Sequence, residues 1–240
     1  MKNIFLASSP LILVSILAVG AAALAQTKAG PNLLDPSTMK ATAPATFVVN
    51  VETTKGPFTI KVTRSWAPNG ADHFYNLVRA GFFTDAAFFR VIPGFMAQFG
   101  ISARPEVSRI WANSNIQDDP VKESNVRGMV TFAQTSARNS RSTQLFINYG
   151  DNSRLNADRF APFGEVTKGM EIVDKIYSGY GEQPDQTAIT NQGKAYLDKN
   201  FPRLDRILSA TIVTDEASKD APKTDTKKPD AKKDAAKDKS

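Results

Sequence analysis

Residues 88–98 read FFRVIPGFMAQ, which describes a strand, a turn and a second strand. Arg90 lies within the first apolar run, and Pro93-Gly94 supplies the turn. Because side chains alternate between the two faces of a β-strand, Arg90 shares a face with Ile92 and lies opposite its immediate neighbours. The stretch therefore predicts a cation held against an apolar surface. It leaves open the alternative that Arg90 sits at a strand edge with its charged end in water.

Further β-rich runs, separated by turn residues, indicate a mainly β protein. The runs at 47–52 and 58–62 flank a turn and predict a hairpin. Later strand-like runs lie at residues 128–133, 144–148, 163–166 and 207–213. The polar stretches 101–127 and 179–205 are predicted as loops, the second with a helical turn around 195–197. Many short strands of this kind are typical of a sandwich or a barrel.

Two amphipathic helices are predicted among these strands. The first begins at Pro68, follows helical spacing of apolar residues and ends at Gly81. The second covers residues 170–177 and ends at Gly179. His73 lies beside the apolar stripe of the first helix, and we expect it to be partly exposed and not catalytic.

The composition excludes several classes of protein. The chain has 240 residues, no cysteine and a single histidine, which excludes disulfides and Cys-based zinc sites and leaves little room for a multi-His metal centre. The formal net charge is +6, and residues 218–240 supply half of this excess with eight Lys and five Asp. The remaining chain has no domain-wide basic stripe, so we expect no binding of nucleic acid.

The N-terminal residues 1–25 are predicted to be an export signal. Lys2 gives the positive start, residues 11–24 the apolar region, and Ala-Leu-Ala at 23–25 the cleavage site. The alternative is an uncleaved membrane anchor, but extending the apolar run to about 20 residues crosses the Ser-Ser-Pro of residues 8–10. We therefore expect a protein that is exported, either periplasmic or secreted, with no stable membrane insertion after cleavage.

Composition also divides the rest of the chain. Residues 26–45 contain three prolines with many Ala and Thr, and are predicted to be a flexible linker. Residues 46–215 form the predicted globular domain. Residues 216–240 are rich in Lys, Asp and Ala and are predicted to be disordered. This tail is either a solubilising spacer or a weak electrostatic tether to anionic surfaces, and its interspersed charges favour the spacer.

Two segments resemble the cyclophilin family of peptidyl-prolyl cis-trans isomerases. The run FFRVIPGFMAQ resembles the signature F-x-R-V/I-I-P-x-F-x-x-Q, and residues 142–147, STQLFI, resemble the family's S-x-Q-F-F-I run. The resemblance extends over residues 47–213. It implies a closed eight-stranded antiparallel β-barrel capped by two α-helices, with no metal and no cofactor.

The resemblance also implies a set of site residues. Arg90 matches the arginine that donates to the prolyl nitrogen of a twisted amide, and Gln98 matches the glutamine that steadies this arginine. Ala133 and Gln134 match the strand edge where the residue before proline pairs with the backbone. The apolar slot for the proline ring is implied for Phe95, Met96, Phe146, Leu155 and Phe160. Barrel core is the alternative for each of these apolar residues.

Three positions depart from the family pattern. Arg154 stands where the best-known members carry a tryptophan, Phe160 replaces a histidine, and Gln134 replaces an asparagine. Because that tryptophan contributes to cyclosporin binding in the family, the resemblance implies weak inhibition by cyclosporin.

The function predicted from the resemblance is isomerisation of X-Pro bonds in exported client proteins. An alternative is a non-catalytic module that binds proline-containing segments, and a barrel that carries a small apolar ligand is a third. Retention of Arg90 favours turnover, because pure binding needs no cation directed at the amide nitrogen. The expected partners are proline-containing polypeptides. We expect a monomer.

Overall fold

The computed structural model describes residues 31–213, so the predicted signal, residues 26–30 and the C-terminal tail lie outside the described residues. The strands are β1 Thr46–Thr53, β2 Gly56–Thr63, β3 Arg90–Ile92, β4 Met96–Phe99, β5 Met129–Phe132, β6 Leu145–Asn148, β7 Pro162–Lys168 and β8 Ile207–Val213. The helices are α1 Pro68–Arg79, α2 Pro105–Trp111, α3 Met170–Val173 and α4 Gln186–Asn200, with short 3₁₀ turns at Pro36–Thr38 and Ser153–Asn156.

All strand pairs are antiparallel, and the eight strands form one curled sheet in the order β3-β4-β6-β5-β7-β2-β1-β8. The predicted hairpin is confirmed, since β1 and β2 pair from Thr46↔Thr63 to Thr53↔Gly56. The predicted strand, turn and strand are also confirmed by the pairing of β3 with β4. Gly94 has a φ of 74° in this turn, a value that favours glycine.

The two end strands of the sheet come together without a continuous ladder. An isolated bridge joins Ala87 to Arg206, and the backbone N–H of Ile207 donates to the Ala86 carbonyl at 2.9 Å. The eight-stranded antiparallel sheet is therefore as predicted, but the expected closed barrel is better described as a curled sheet whose edges touch over a few residues. The short β3 explains this, because three residues cannot pair along the seven of β8.

Aromatic side chains fill the inside of the curled sheet. The ring of Phe163 lies 5.1 Å from those of both Phe74 and Phe132, so α1 is joined to the sheet through contacts between tilted rings. The side chains of Val49, Val62, Leu77, Phe88, Phe99, Val130, Leu145 and Ile147 complete this core. Alternation along the strands directs their neighbours to the outer face.

The helices differ from the prediction in number and length. The helix predicted after Pro68 is confirmed as α1, whereas the one predicted for residues 170–177 has only the four residues of α3. The stretches predicted as loops contain α2 and α4, so within residues 31–213 the curled sheet is accompanied by four α-helices and not two. Gly193 has a φ of 58° and breaks α4 where the N–H of Lys194 donates to the Ala103 carbonyl at 2.9 Å. Among residues 31–213, no helix has the length and apolar character needed to cross a bilayer.

The described part of the predicted linker packs on the domain. The indole N–H of Trp111 donates to the Leu33 carbonyl at 2.9 Å, and Asn76 donates to the Ala41 carbonyl at 2.7 Å. Met39 is buried in the core. Residues 33–45 therefore form an ordered arm and not the expected flexible linker, because these backbone groups find partners on α1 and α2 that their composition does not indicate.

A buried ion pair fixes the loops beside the outer face of β5 and β6. Arg141 donates to Asp118 at 2.7 Å, and their side chains are 3% and 12% exposed. Arg141 also donates to the Arg159 carbonyl, while Asp118 accepts from the N–H of Asn139 at 3.1 Å. The pair thereby joins three loop segments, including the one that leads to Phe160.

His73 is half-buried on α1, between the rings of Trp111 at 5.6 Å and Phe132 at 5.7 Å. Its Nε2 is buried and has no hydrogen-bond partner. Burial lowers the pKa of the imidazole from 6.5 to about 4. The side chain is thus a neutral part of the packing between α1, α2 and β5, in agreement with the expected non-catalytic role.

We expect Arg141→Met to lower the free energy of unfolding by about 3 kcal/mol, because it removes the hydrogen-bonded cation of the buried Asp118 carboxylate and leaves only the longer contact with Arg159 at 3.9 Å. Urea denaturation measures this change. The matched control is Arg104→Met, which removes an exposed pair with Glu106 and should cost no more than about 0.5 kcal/mol. Equal losses in the two variants would contradict a structural role for the buried pair.

We expect the free energy of unfolding to fall between pH 6.5 and about 4. In this range the unfolded chain protonates its histidine and the native chain does not, so acid favours unfolding, by about 2 kcal/mol at pH 5. His73→Gln removes the chain's one histidine and should flatten the curve between pH 7 and 5.5, above the titration of most carboxylates. An unchanged slope in this variant, measured by urea denaturation, would refute the assignment.

Candidate active site

A pocket of about 310 Å³ opens on the outer face of the sheet. All nine residues that the sequence predicts for the site line it, namely Arg90, Phe95, Met96, Gln98, Ala133, Gln134, Phe146, Leu155 and Phe160. They come from four separate parts of the chain, and the fold brings them together. Their individual roles stay predictions.

Strand register places the central residues in one row. Arg90 pairs directly with Gln98, and Gln98 pairs directly with Phe146, across the adjacent strands β3, β4 and β6. Their neighbours Ala97 and Ile147 point into the core. The apolar pocket residues of β4 and β6 therefore belong to the outer face, which excludes the alternative of barrel core for them.

Arg90 is held by groups on two sides of its guanidinium. Its Nε donates to Glu182 Oε1 at 2.7 Å, and its Nη2 donates to the same oxygen. Its Nη1 donates to Gln98 Oε1 at 3.2 Å. The side chain remains 28% exposed, and its guanidinium carbon lies 5.8 Å from the ring centre of Phe95. The predicted cation against an apolar surface is thus observed, with a carboxylate beside it.

A second amide extends this chain of hydrogen bonds. Gln98 is 7% exposed, and its Nε2 donates to Gln144 Oε1 at 2.8 Å. The Gln144 backbone carbonyl accepts from the N–H of Ala133 at 2.9 Å. Gln98 is therefore fixed from the β6 side, with its carbonyl oxygen directed at Arg90.

The apolar half of the pocket consists of side chains from β4, β6 and the loop before β7. Met96 and Phe146 are buried, and Phe160 meets Phe146 edge to face at 5.7 Å. The backbone N–H of Phe160 donates to the Leu155 carbonyl at 3.2 Å, which closes the loop around the slot. A ring the size of proline would find apolar contacts here on several sides.

The departure at Arg154 changes the rim of the pocket. Its guanidinium carbon lies 4.9 Å from the ring centre of Phe95, and its Nη1 donates to Asn152 at 3.3 Å. Phe95 is thus in contact with two arginines, Arg90 and Arg154. A planar cation stacks here on the aromatic wall.

The predicted backbone edge is only partly free. The N–H of Ala133 is engaged by β6, and Gln134 turns its Nε2 to the Asp158 carbonyl at 2.5 Å. The Gln134 Oε1 is buried without a partner. Gln134 is a lining residue of the pocket, but this oxygen is enclosed by protein atoms.

Sequence reasoning missed six residues of this region. Three of them, Thr135, Ser140 and Ser142, line its polar side. Gln144 and Gln186 line the pocket, and Glu182 binds Arg90 from a segment 92 positions along the chain. Gln144 lay within the quoted run of residues 142–147 and could have been included. Glu182 and Gln186 carry no local pattern, because their place depends on how α4 packs. Within residues 31–213, no cluster of three or more acidic, His or Cys side chains is arranged to hold a metal ion.

Comparison with known proteins agrees with this geometry. Residues 48–194 match the family model of cyclophilin type peptidyl-prolyl cis-trans isomerases. A peptidyl-prolyl cis-trans isomerase of Acinetobacter baylyi is 36% identical over 142 residues, which cover 58% of this chain and 76% of the relative. A probable peptidyl-prolyl cis-trans isomerase of Brucella abortus is 33% identical over 170 residues, covering 67% and 79%.

A solved structure supports the fold. The cyclophilin type isomerase of Cryptosporidium parvum, crystallised in the presence of the dipeptide Ala-Pro, aligns with a TM-score of 0.54 at 19% identity and covers 70% of this chain and 99% of that one. Together with the family match and the bacterial relatives, these observations show that the chain belongs to the cyclophilin-type peptidyl-prolyl cis-trans isomerase family.

Proposed function

We propose that the pocket accelerates rotation about X-Pro bonds by stabilising the twisted amide with Arg90. The rotation has a barrier of about 18–20 kcal/mol because the planar C–N bond has partial double-bond character. On twisting, the prolyl nitrogen regains a lone pair and accepts a hydrogen bond. A donor that is already in place when this lone pair develops lowers the barrier without any covalent step.

The single observation that carries this proposal is the charge distribution of the pocket. Among the described residues that line it, Arg90 is the one charged side chain, and the others are apolar or neutral. A permanent cation at the edge of an apolar slot suits an amide nitrogen that gains basicity as it twists. The proline ring would occupy the slot beside Phe146 and Met96 while the acyl side rotates.

Gln98 serves as the positioning residue in this proposal. It is fixed by Gln144 and accepts from Arg90, so the guanidinium keeps its place when no peptide is bound. The alternative of a non-catalytic binding module would use the apolar slot, but would have no use for the cation.

Replacement of Arg90 tests the proposal. We expect Arg90→Ala to lower kcat/KM for an Ala-Pro-Phe reporter peptide by about a hundredfold or more, as for the loss of a single donor to a developing charge. A protease-coupled or direct spectroscopic assay of cis-to-trans conversion measures the rate. Arg104→Ala, an exposed arginine outside the pocket, is the matched control and should keep the wild-type rate.

Two results would contradict the assignment. Wild-type turnover that persists in Arg90→Ala would place the chemistry elsewhere. A folded wild-type protein that binds the peptide without accelerating its isomerisation would favour the binding module.

The proposed clients are proline-containing segments of exported proteins, and the proposed location is the periplasm or the exterior of the cell. Support comes from the charged start, the apolar stretch and the Ala-Leu-Ala of residues 23–25. The proposal also includes action as a monomer, without nucleic acid and without stable membrane insertion after cleavage.

Expression of the full chain in a bacterium tests the proposed export. We expect the intact mass of the exported fraction to correspond to a chain that starts at Gln26. Ala25→Tyr, which removes the small residue before the cleavage site, should leave the uncleaved chain in the membrane fraction. A wild-type chain recovered only uncleaved would contradict the predicted signal peptide.

A further inference from the structure

The contact between Glu182 and Arg90 is unlike the rest of the pocket. The pocket lining is neutral apart from Arg90, yet a carboxylate from outside that lining reaches the guanidinium. Glu182 uses one oxygen, Oε1, to accept from both Nε and Nη2 of Arg90. The Glu182 side chain is 60% exposed, so its carboxylate is open to solvent beside Arg90.

The segment around Glu182 is held in place independently of this ion pair. The carbonyl of Gly181 accepts from the N–H of Val91 at 3.3 Å, on the edge of β3 that does not face β4. The ring of Tyr180 meets that of Phe201 at 5.1 Å. These contacts fix the backbone of residues 180 and 181 beside β3. The packing of the segment therefore keeps the Glu182 backbone beside Arg90, within reach of its guanidinium.

The contacts divide the donors of Arg90. A guanidinium has five N–H groups in a fixed plane. Three of its hydrogen bonds go to protein oxygens, two to Glu182 and one to Gln98. Of the two remaining N–H groups, the one on Nη1 has only a long contact with Met96 Sδ at 4.0 Å, and the one on Nη2 has no partner among the described residues. Glu182 holds the Nε and Nη2 edge and Gln98 holds Nη1, so the plane of the guanidinium is set from both sides before a peptide binds.

We infer that Glu182 is a positioning residue for Arg90 and that its carboxylate makes the site prefer a basic over an acidic residue next to the proline. This inference rests on the proposed function. An oxygen that accepts from two nitrogens fixes the direction in which the free donors point. The same carboxylate attracts a lysine or arginine of the peptide and repels a glutamate or aspartate.

Arg154 places a second charge near the pocket, opposite in sign to that of Glu182. The guanidinium carbon of Arg154 lies 4.9 Å from the ring centre of Phe95, and Arg154 is paired with a neutral amide, Asn152. An acidic peptide residue would find Arg154, and a basic one would find Glu182. The charge preference therefore has a direction in the peptide, and the two sides of the proline must be tested separately.

Two series of reporter peptides test the inference, with Lys, Gln or Glu immediately before or immediately after the proline. We expect the wild-type protein to favour Lys over Glu by about fivefold in kcat/KM in at least one series, the size typical of exposed charges. Added salt should reduce this ratio, because the Debye length falls from about 30 Å at 0.01 M to about 3 Å at 1 M.

Three variants separate position from charge. Glu182→Gln keeps an oxygen for Arg90, so we expect it to lose the charge preference and to lower kcat for the Gln peptides only about twofold. Glu182→Ala removes the oxygen as well, and should lower kcat for the same peptides about fivefold with little change in KM. Glu171→Gln, an exposed carboxylate on α3, is the control and should match the wild type.

Several results would overturn the inference. If Glu182→Gln keeps the wild-type preference, the carboxylate does not select peptides. If Glu182→Ala turns over the neutral peptides as fast as the wild type or faster, the contact competes with substrate and does not position Arg90. If the wild type accelerates isomerisation and either of these variant results is found, only this inference is overturned. If the wild type does not accelerate isomerisation, the proposed function is overturned as well.

Discussion

Alternation of side chains along β3, β4 and β6 is the constraint that separates the core from the pocket. Ala97 and Ile147 fill the inside of the curled sheet, and the residues beside them reach the outside. A slip of one residue would exchange the two sets and place Arg90 in the aromatic core. Burying that charge without a partner would cost far more than the domain's total stability can absorb. The observed register therefore places the apolar side chains in the core and Arg90 on the outer face.

The aromatic core is what makes this register firm. Phe74, Phe132 and Phe163 join α1 to strands at the middle of the sheet, while the pocket strands lie toward one end. The end strand β3 has three residues and few ladder bonds of its own. Its position depends on the neighbours that cover it, β4 on one edge and the segment around Gly181 on the other. The pocket is thus built on a strand that the rest of the structure must hold.

Local patterns were sufficient for the parts of the fold that local forces decide. The hairpin of β1 and β2, the turn at Pro93-Gly94 and the start of α1 each follow from residues within one segment. The arm at residues 33–45 and helix α4 do not. The arm is ordered by donors on Asn76 and Trp111, which lie more than thirty positions away in the sequence. In α4, Gly193 suggests the end of a helix, but the chain continues because the N–H of Lys194 donates to the Ala103 carbonyl.

The residues of the site also divide into those that a sequence pattern supplies and those that depend on the folding of distant segments. Resemblance supplied nine lining residues, because the family pattern records which separate segments meet. It could not supply Glu182, whose contact with Arg90 spans 92 positions and depends on the packing of α4. Nor could it show that the N–H of Ala133 is already engaged by β6. Contacts of this kind become visible only when the whole chain is folded.

Glu182 has two opposing effects on Arg90, and the free energies of these effects decide whether the contact helps or hinders the proposed role of Arg90. A neighbouring carboxylate reduces the positive charge available to the amide nitrogen, but at 60% exposure water screens it, and exposed pairs contribute about 1 kcal/mol or less. A free arginine side chain loses up to about 2 kcal/mol of rotamer entropy when it is ordered. Glu182 and Gln98 impose that order before the peptide arrives. In the proposed mechanism the orientation is set in advance while the charge is only partly reduced, so we expect the net effect to favour the twisted amide.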